Sequence, residues 1–245
     1  MMTARRGGFA MAQQAIKLDM YGSALSDPLF AALATYLREG LDPRPSGLLL
    51  GQICGIEFAH APLGQYQYLG SFSLPGFAPG HYNSVLITGV ATGLHAVSDF
   101  DAENHPVAIN EPGSFSGSIA FAAHMLGRGD AVFPRQVMTG GHLRSVAAVA
   151  RGDAMLAAID RLSFNLAQQV CPEDYEGVRV IGETASRPGL PFVCGAAVPD
   201  DQVAVMRERL AAALVQPFWD ALSGLLGVDG IDRINPGDFM VMRDV

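Results

Sequence analysis

Residues 107–118 read VAINEPGSFSGS, a short apolar run followed by a turn rich in serine and glycine. The apolar run predicts a buried strand over 107–109. The spacing of apolar residues beyond the turn predicts a helix over 114–126. A strand that leads through such a turn into a helix is the repeating unit of α/β proteins, in which ligands bind beyond the carboxyl ends of the strands.

The turn that follows this strand is predicted to bind an anion. The first turn of a helix leaves backbone N–H groups unpaired, and the helix dipole adds about half a positive charge there. Asn110 begins the turn, Ser114, Ser116 and Ser118 supply hydroxyl donors, and Gly117 lets a ligand approach the backbone. A phosphate, phosphonate or carboxylate group would fit without any basic residue. The alternative is a serine that caps its own helix.

The rest of the chain repeats the alternation of strands and helices. Ser26, Asp27 and Pro28 resemble a capped helix start, and Gly40 is placed to end that helix. Further strands are predicted over 15–20, 47–51, 66–70, 84–88, 155–159 and 178–181, and further helices over 143–151 and 199–214. The pattern predicts an α/β protein with mostly parallel sheets.

Two more strand ends carry polar side chains that suit a ligand. Thr139 and His142 stand at a predicted helix start, where a histidine could bind an anion, act as a general base or merely cap the helix. Asp160 follows an apolar strand directly and could accept from a ligand amine or hydroxyl, although helix capping explains it equally well. We expect these two loops and the serine turn to converge on one crevice.

The first half of the chain contributes candidates at similar strand borders. Tyr21 and Tyr82 could wall a small pocket, with Ser84 at the border after Tyr82. Gln52 could bond the polar edge of a ligand. Cys54 is a candidate nucleophile, but no base lies near it in sequence, so a structural thiol is favoured.

Composition limits the partners. The chain has 245 residues and a net charge of −8, which argues against nucleic acid and anionic membrane surfaces. Three cysteines without a C-x-x-C pair indicate neither a disulfide framework nor a zinc site, and no metal or cofactor is expected. The prolines and glycines of residues 58–98 interrupt any membrane-spanning run. Residues 7–14 are too short and too polar for a signal sequence, so the chain either stays in the cytoplasm or lacks its export signal in this form.

Taken in order, the motifs of residues 15–215 resemble the phosphate/phosphonate-type substrate-binding proteins of ABC importers. The motifs are a Tyr-x-Ser strand border, a Pro-x-Ser-x-Ser-Gly helix start, a Thr-Gly-x-His helix start, Ala-Ala-Ile-Asp, and Arg-Pro-Gly-Leu-Pro-Phe. They occupy residues 82–84, 112–117, 139–152, 157–160 and 187–192.

The resemblance implies a two-lobed type II periplasmic-binding fold. Each lobe would be a mixed, mostly parallel sheet flanked by helices, with two crossover strands as the hinge near residues 87–90 and 192–195. The first lobe would comprise residues 1–88 with 192–245, and the second would comprise residues 89–191.

The same resemblance implies roles for the site residues. An oxyanion would lie on Ser114 and Ser116 with His142 beside it, while Asp160 would face the far end of the ligand. Tyr21 and Tyr82 would close the pocket. Phe115 stands where the family has a hydroxyl, which removes one expected donor.

The sequence thus favours a non-catalytic, periplasmic solute-binding protein for a small anionic or zwitterionic metabolite, with an ABC permease as its partner and neither membrane insertion nor nucleic acid. Two alternatives stay open. One is a cytoplasmic enzyme with His142 or Asp160 as general base, and the other is a cytoplasmic ligand sensor.

Overall fold

The computed structural model describes residues 15–39, 41 and 47–245, which form two five-stranded sheets with helices around them. The strands are β1 (Ala15–Lys17), β2 (Leu48–Gln52), β3 (Tyr66–Ser73), β4 (His81–Tyr82), β5 (Ser84–Gly89), β6 (Val107–Ile109), β7 (Gln136–Met138), β8 (Leu156–Asp160), β9 (Val178–Glu183), β10 (Arg187–Pro188), β11 (Pro191–Gly195) and β12 (Gly230–Asp232). The α-helices are α1 (Asp27–Arg38), α2 (Gly55–His60), α3 (Ala120–Leu126), α4 (His142–Ala150), α5 (Arg161–Val170), α6 (Pro172–Glu176), α7 (Asp200–Ala212) and α8 (Trp219–Leu226). A π-helical turn (Phe115–Ile119) precedes α3, and a 3-10 helix (Pro236–Asp244) lies near the carboxyl end.

The first sheet has the strand order β1-β2-β11-β3-β12. Its core joins apolar side chains of β3 and β11 to those of α1, α7 and α8, among them Leu33, Phe72, Phe192, Met206 and Leu222. The buried apolar residues of α1 recur at helical spacing, so the helix buries one face against the sheet. We call this sheet and the elements packed on it the first lobe.

The second sheet has the strand order β7-β6-β8-β5-β9. All five residues of β8 are buried, because helices cover both faces of the sheet. The α4 and α5 helices pack on one face, and α3 packs on the other. We call this sheet and its helices the second lobe.

The chain passes between the lobes at β4 and β10, which pair with each other as a two-stranded ribbon. This position differs from the expected hinge near residues 87–90 and 192–195. Ile87 pairs with both Ala157 and Val180 inside the second sheet, and Phe192 pairs with Gln52 and Gly70 inside the first. Because both faces of such a strand are buried, its residue pattern does not indicate which of the two sheets it joins. The division at residues 88/89 and 191/192 stays a prediction.

The sheets are mixed, as predicted, but they are not mostly parallel. Among the described strands of the two large sheets, three pairings are parallel (β1–β2, β6–β7 and β6–β8) and the other five are antiparallel. The strands β5 and β11, which follow the two crossings, account for four of the antiparallel pairings.

Several element boundaries differ from the predictions. The first strand ends at Lys17, and the helix predicted over 114–126 begins as a π-helical turn. Ser26 does not cap α1, because its Oγ donates to the carbonyl of Tyr21 instead. Gly40 lies outside the described residues. The helices α2, α5, α6 and α8 and the 3-10 helix near the carboxyl end were not predicted from the sequence.

Candidate ligand-binding site

A cavity of about 430 Å³ lies between the two lobes. Seven of the twelve predicted site residues line it: Tyr21, Tyr82, Asn110, Ser114, Ser116, His142 and Asp160. The other five, which do not line it, are Gln52, Ser84, Gly117, Ser118 and Thr139. The three predicted strand-end loops therefore do meet at one crevice.

The serine turn forms the first wall of the cavity. The Ser114 Oγ accepts from the backbone N–H of Gly117 at 3.2 Å and from the Asn110 Nδ2 at 2.9 Å. Ser114 thus caps the π-helical turn, which is the alternative that the sequence had left open. Its hydroxyl accepts a hydrogen bond from the protein backbone, and its side chain also borders the cavity.

Gly117 packs against the side chain of Asn110. A Cβ at this position would lie 1.9 Å from the Asn110 Oδ1, which is far inside van der Waals contact. Glycine is therefore required here because the Asn110 carboxamide packs directly against its Cα. Asn110 in turn brings its Nδ2 to Ser114 and, at 3.4 Å, to the His142 Nε2.

His142 links all three loops. Its Nε2 lies 2.9 Å from the Ser116 Oγ, and its Nδ1 lies 3.4 Å from the backbone nitrogen of Asp160. Burial lowers the pKa of His142 to about 4, so the imidazole is neutral at pH 7. At that pH the ring acts as a polar hydrogen-bonding group and not as a cation.

Asp160 ends β8 and lines the same cavity. Its Oδ1 accepts from the backbone N–H of Ser163 at 2.9 Å and caps α5, while its Oδ2 accepts from the Tyr21 hydroxyl at 3.3 Å. Burial raises the pKa of Asp160 to about 6, and hydrogen bonds from Ser163 and Tyr21 act in the other direction. Burial and the nearby carboxylate raise the pKa values of Tyr21 and Tyr82 as well. The Tyr21–Asp160 hydrogen bond spans the cleft between the two lobes.

Two of the predicted residues outside the cavity wall, Thr139 and Ser84, form hydrogen bonds with the loops that line it. The Thr139 Oγ1 lies 2.7 Å from the Ser145 Oγ and holds the loop before α4. The Ser84 Oγ donates to the carbonyl of Ser116 at 3.1 Å. Gln52 is buried, and neither its Nε2 nor its Oε1 has a hydrogen-bond partner among the described residues.

The cavity also includes residues that sequence analysis did not assign to the ligand. Cys54, Ser163, Leu190 and Arg144 all line it. Burial raises the pKa of the Cys54 thiol, which is consistent with an unreactive thiol. The Arg144 guanidinium donates to the carbonyls of Thr139 and Gly140. Ser163 could have been found from its place three residues after the capping Asp160.

Residues 15–39, 41 and 47–245 contain neither a membrane-spanning helix nor a metal-binding cluster. No helix in these ranges is long and apolar enough to cross a bilayer. In the same residues, no group of three or more histidine, cysteine, aspartate or glutamate side chains is arranged to hold a metal ion.

The two sheets, the paired crossings and the cleft between them define the class of two-lobed binding proteins, and solved structures agree with this fold. One match is a binding protein component of an ABC phosphonate transporter from Pseudomonas aeruginosa, with a TM-score of 0.71, 14% identity, and coverage of 93% of this chain and 82% of that one. Another is PhnD1 from Prochlorococcus marinus in complex with methylphosphonate, with a TM-score of 0.66, 10% identity, and coverage of 88% and 80%. A third is XAC2383 from Xanthomonas citri bound to chloride ion, with a TM-score of 0.63, 15% identity, and coverage of 93% and 92%.

The family itself is shown by sequence. The family model of ABC transporter, phosphonate, periplasmic substrate-binding proteins matches residues 60–238. No curated protein matches the chain. The chain therefore belongs to this family of phosphonate-type substrate-binding proteins, as the sequence motifs had predicted. It is a transport protein of the solute-binding class, whose partners are a small-molecule ligand and a permease.

Proposed function

We propose that this protein holds a small oxyanion or zwitterion, such as a phosphonate, with its anionic end at the serine turn and its far end at Asp160. The observation that carries the proposal is that His142 joins Ser116 to the backbone of Asp160 within one cavity. The serine turn and the loop before α4 thus offer hydroxyl, imidazole and backbone groups, and the end of β8 offers a carboxylate. Such a pair suits a ligand that is anionic at one end and donates hydrogen bonds at the other.

The remaining predicted site residues would act in three ways. Tyr21 and Tyr82 would wall the pocket, and Asn110 would orient Ser114. Gln52 does not line the cavity, so it would reach the ligand only through an ordered water, since its buried amide has no partner among the described residues. Gly117, Ser118, Ser84 and Thr139 would act by shaping the two helix starts.

We further propose that the protein acts in the periplasm without chemical change to its ligand. The family description supports both points. The enzyme alternative requires His142 or Asp160 as a general base. In this cavity, Asp160 already accepts from Ser163 and Tyr21, so a base role would disrupt existing hydrogen bonds. Recovery of an altered ligand after long incubation would support the enzyme, and recovery of the unchanged ligand would support the binding protein.

The site assignment is tested with a Ser114→Ala/Ser116→Ala double variant. A hydrogen bond to a charged group contributes about 1.5–3 kcal/mol, so we expect affinity to fall by about two orders of magnitude or more. Isothermal titration with methylphosphonate, inorganic phosphate and an aminoalkylphosphonate measures the effect. Native mass spectrometry of freshly purified protein would first identify any ligand that copurifies.

Ser118→Ala is the matched control, because Ser118 lies in the same turn but does not line the cavity. We expect its affinity to equal that of the wild type. Circular dichroism of each variant separates loss of the ligand from loss of the Ser114 cap. Unchanged affinity in a folded double variant would show that the anion binds elsewhere.

A further inference from the structure

Phe115 occupies an unusual position relative to the proposed site. It lies between Ser114 and Ser116, which both line the cavity, yet Phe115 does not line it. Its side chain is only 2% exposed. The residue therefore belongs to the serine turn in sequence, while its ring is directed away from the ligand.

The ring is buried in the first lobe. Phe115 belongs to an apolar cluster with Ala59, Tyr68, Phe239 and Met242. These four residues come from α2, β3 and the 3-10 helix near the carboxyl end. The π-helical turn that carries Phe115, in contrast, packs on β8 of the second sheet. One side chain of the second lobe is thus enclosed by side chains of the first.

The same cluster reaches the wall of the cavity. Cys54 packs against its buried residues. Cys54 stands at the start of α2 and also lines the cavity. The serine turn is therefore held by the first lobe through the ring of Phe115, in a cluster that extends to the cavity wall.

We infer that Phe115 is a positioning residue that ties the serine turn of the second lobe to α2 of the first. Its substitution would loosen the turn and α2 together, although the ring does not line the ligand cavity. The inference rests on the proposed function only for its consequence, which is weaker ligand binding. The mechanical coupling itself is independent of any ligand.

Hydrogen–deuterium exchange on the full chain without ligand tests the coupling, with Phe115→Ala, Phe115→Leu and Phe133→Ala compared against wild type. Phe133 is the matched control, because it is 3% exposed and packs on Phe121 within the second lobe. We expect Phe115→Ala to speed exchange by about tenfold in both 114–120 and 55–60, since amides that share a packing contact open together. Phe115→Leu should restore most of the protection, because it keeps apolar volume in the cluster.

Phe133→Ala should speed exchange around α3 while leaving 55–60 at the wild-type rate. If Phe115→Ala changes 114–120 alone, the ring has only a local role and the inference is wrong. If Phe115→Ala does not fold, Phe115→Leu decides instead. Faster exchange over 114–120 with a wild-type exchange rate over 55–60 in that variant would also show that the inference is wrong. Titration of the same variants with methylphosphonate separates the proposed function from the role of Phe115. If the wild type fails to bind, the proposed ligand class is wrong, and the exchange pattern still decides whether Phe115 couples the two segments.

Discussion

Two residues of the site act at once as helix caps and as cavity walls. Ser114 caps the π-helical turn and Asp160 caps α5, and both border the cavity. At each position the sequence was compatible with either a structural or a ligand role. The structure shows the capping role directly, and the proposed ligand role is added to it. Such residues are poor choices for a single substitution unless stability is measured together with binding.

Gly117→Ala tests the requirement for glycine beside Asn110. The new Cβ would force the Asn110 carboxamide away from Ser114 and His142, and overpacking of this kind costs about 1–3 kcal/mol. Urea denaturation followed by circular dichroism measures the free energy of unfolding. The control is Gly113→Ala in the same turn, because a Cβ there meets no atom within 4 Å. Equal stability of the two variants would show that Asn110 moves freely.

The pKa shifts of Asp160 and His142 have opposite effects on stability. The pKa of Asp160 is raised from 3.8 to about 6, so its stabilising contribution is full below pH 3.8 and is lost as pH rises through 6. The pKa of His142 is lowered from 6.5 to about 4, so its contribution is full above pH 6.5 and is lost as pH falls through 4. Between about pH 4 and 6 one contribution falls with pH as the other rises, so their pH dependences largely cancel.

Asp160→Asn should reveal the His142 contribution. The amide keeps an oxygen for the Ser163 N–H, and the free energy of unfolding should then rise with pH by up to about 1.4 kcal/mol per unit, relative to wild type. His142→Gln should show the reverse slope. Urea unfolding at about pH 4.5, 5.3 and 6 measures both slopes. If the free energy of unfolding of Asp160→Asn had the same pH dependence as that of the wild type, Asp160 would titrate outside the range of about pH 4.5 to 6.

At the scale of elements, the start of α5 is joined to the crossing between the lobes. The Arg161 Nε donates to the Asn83 Oδ1 at 3.0 Å, and its Nη2 lies 2.6 Å from the Glu183 Oε1. Asn83 lies between β4 and β5, and Glu183 ends β9. Arg161 thus contacts both segments that lead to the crossings. Neither partner could be assigned from sequence, because they stand 78 residues before and 22 residues after Arg161.

Arg161→Met should lower the free energy of unfolding by about 1 kcal/mol, because Glu183 is half-exposed and solvent screens the ion pair. The loss should shrink at high salt. Arg151→Met is the control, since Arg151 is mostly exposed and lies 3.7 Å from the Asp174 carboxylate. Its effect should be close to zero. Comparable losses in the two variants would show that the Asn83 and Glu183 contacts add nothing to an ordinary surface pair.

At the scale of the whole molecule, the net charge of −8 opposes any anionic ligand at long range. The proposed site meets the anion with hydroxyls and a neutral imidazole. The Arg144 guanidinium, which also lines the cavity, already bonds two carbonyls. Long-range repulsion is screened by salt, whereas short hydrogen bonds are not.

The affinity for methylphosphonate should therefore stay constant or rise slightly between roughly 20 mM and 200 mM sodium chloride. A site built on lysine or arginine would show the opposite trend, because salt screens attraction. Titration calorimetry at the two salt concentrations measures the difference. A marked loss of affinity at high salt would mean that Arg144 or another cation binds the ligand directly.

Local sequence determined seven of the twelve described strands, four of the eight described α-helices and the three polar strand ends, because apolar periodicity, glycine and capping residues act over a few neighbours. The run 107–109 became β6 without change, and His142 begins α4. The family motifs extended this local reading to the two-lobed fold.

Tertiary structure alone decided which side chains face the cavity and where the chain crosses between the lobes. Gly117 makes room for Asn110 and Phe115 is buried in the first lobe, since both depend on residues that are brought together only by packing. The same holds for the position of β5, which is buried throughout and pairs with strands more than 60 residues later. Long-range contacts of this kind leave no local signal, so the sequence could name the loops of the site but not the role of each residue within them.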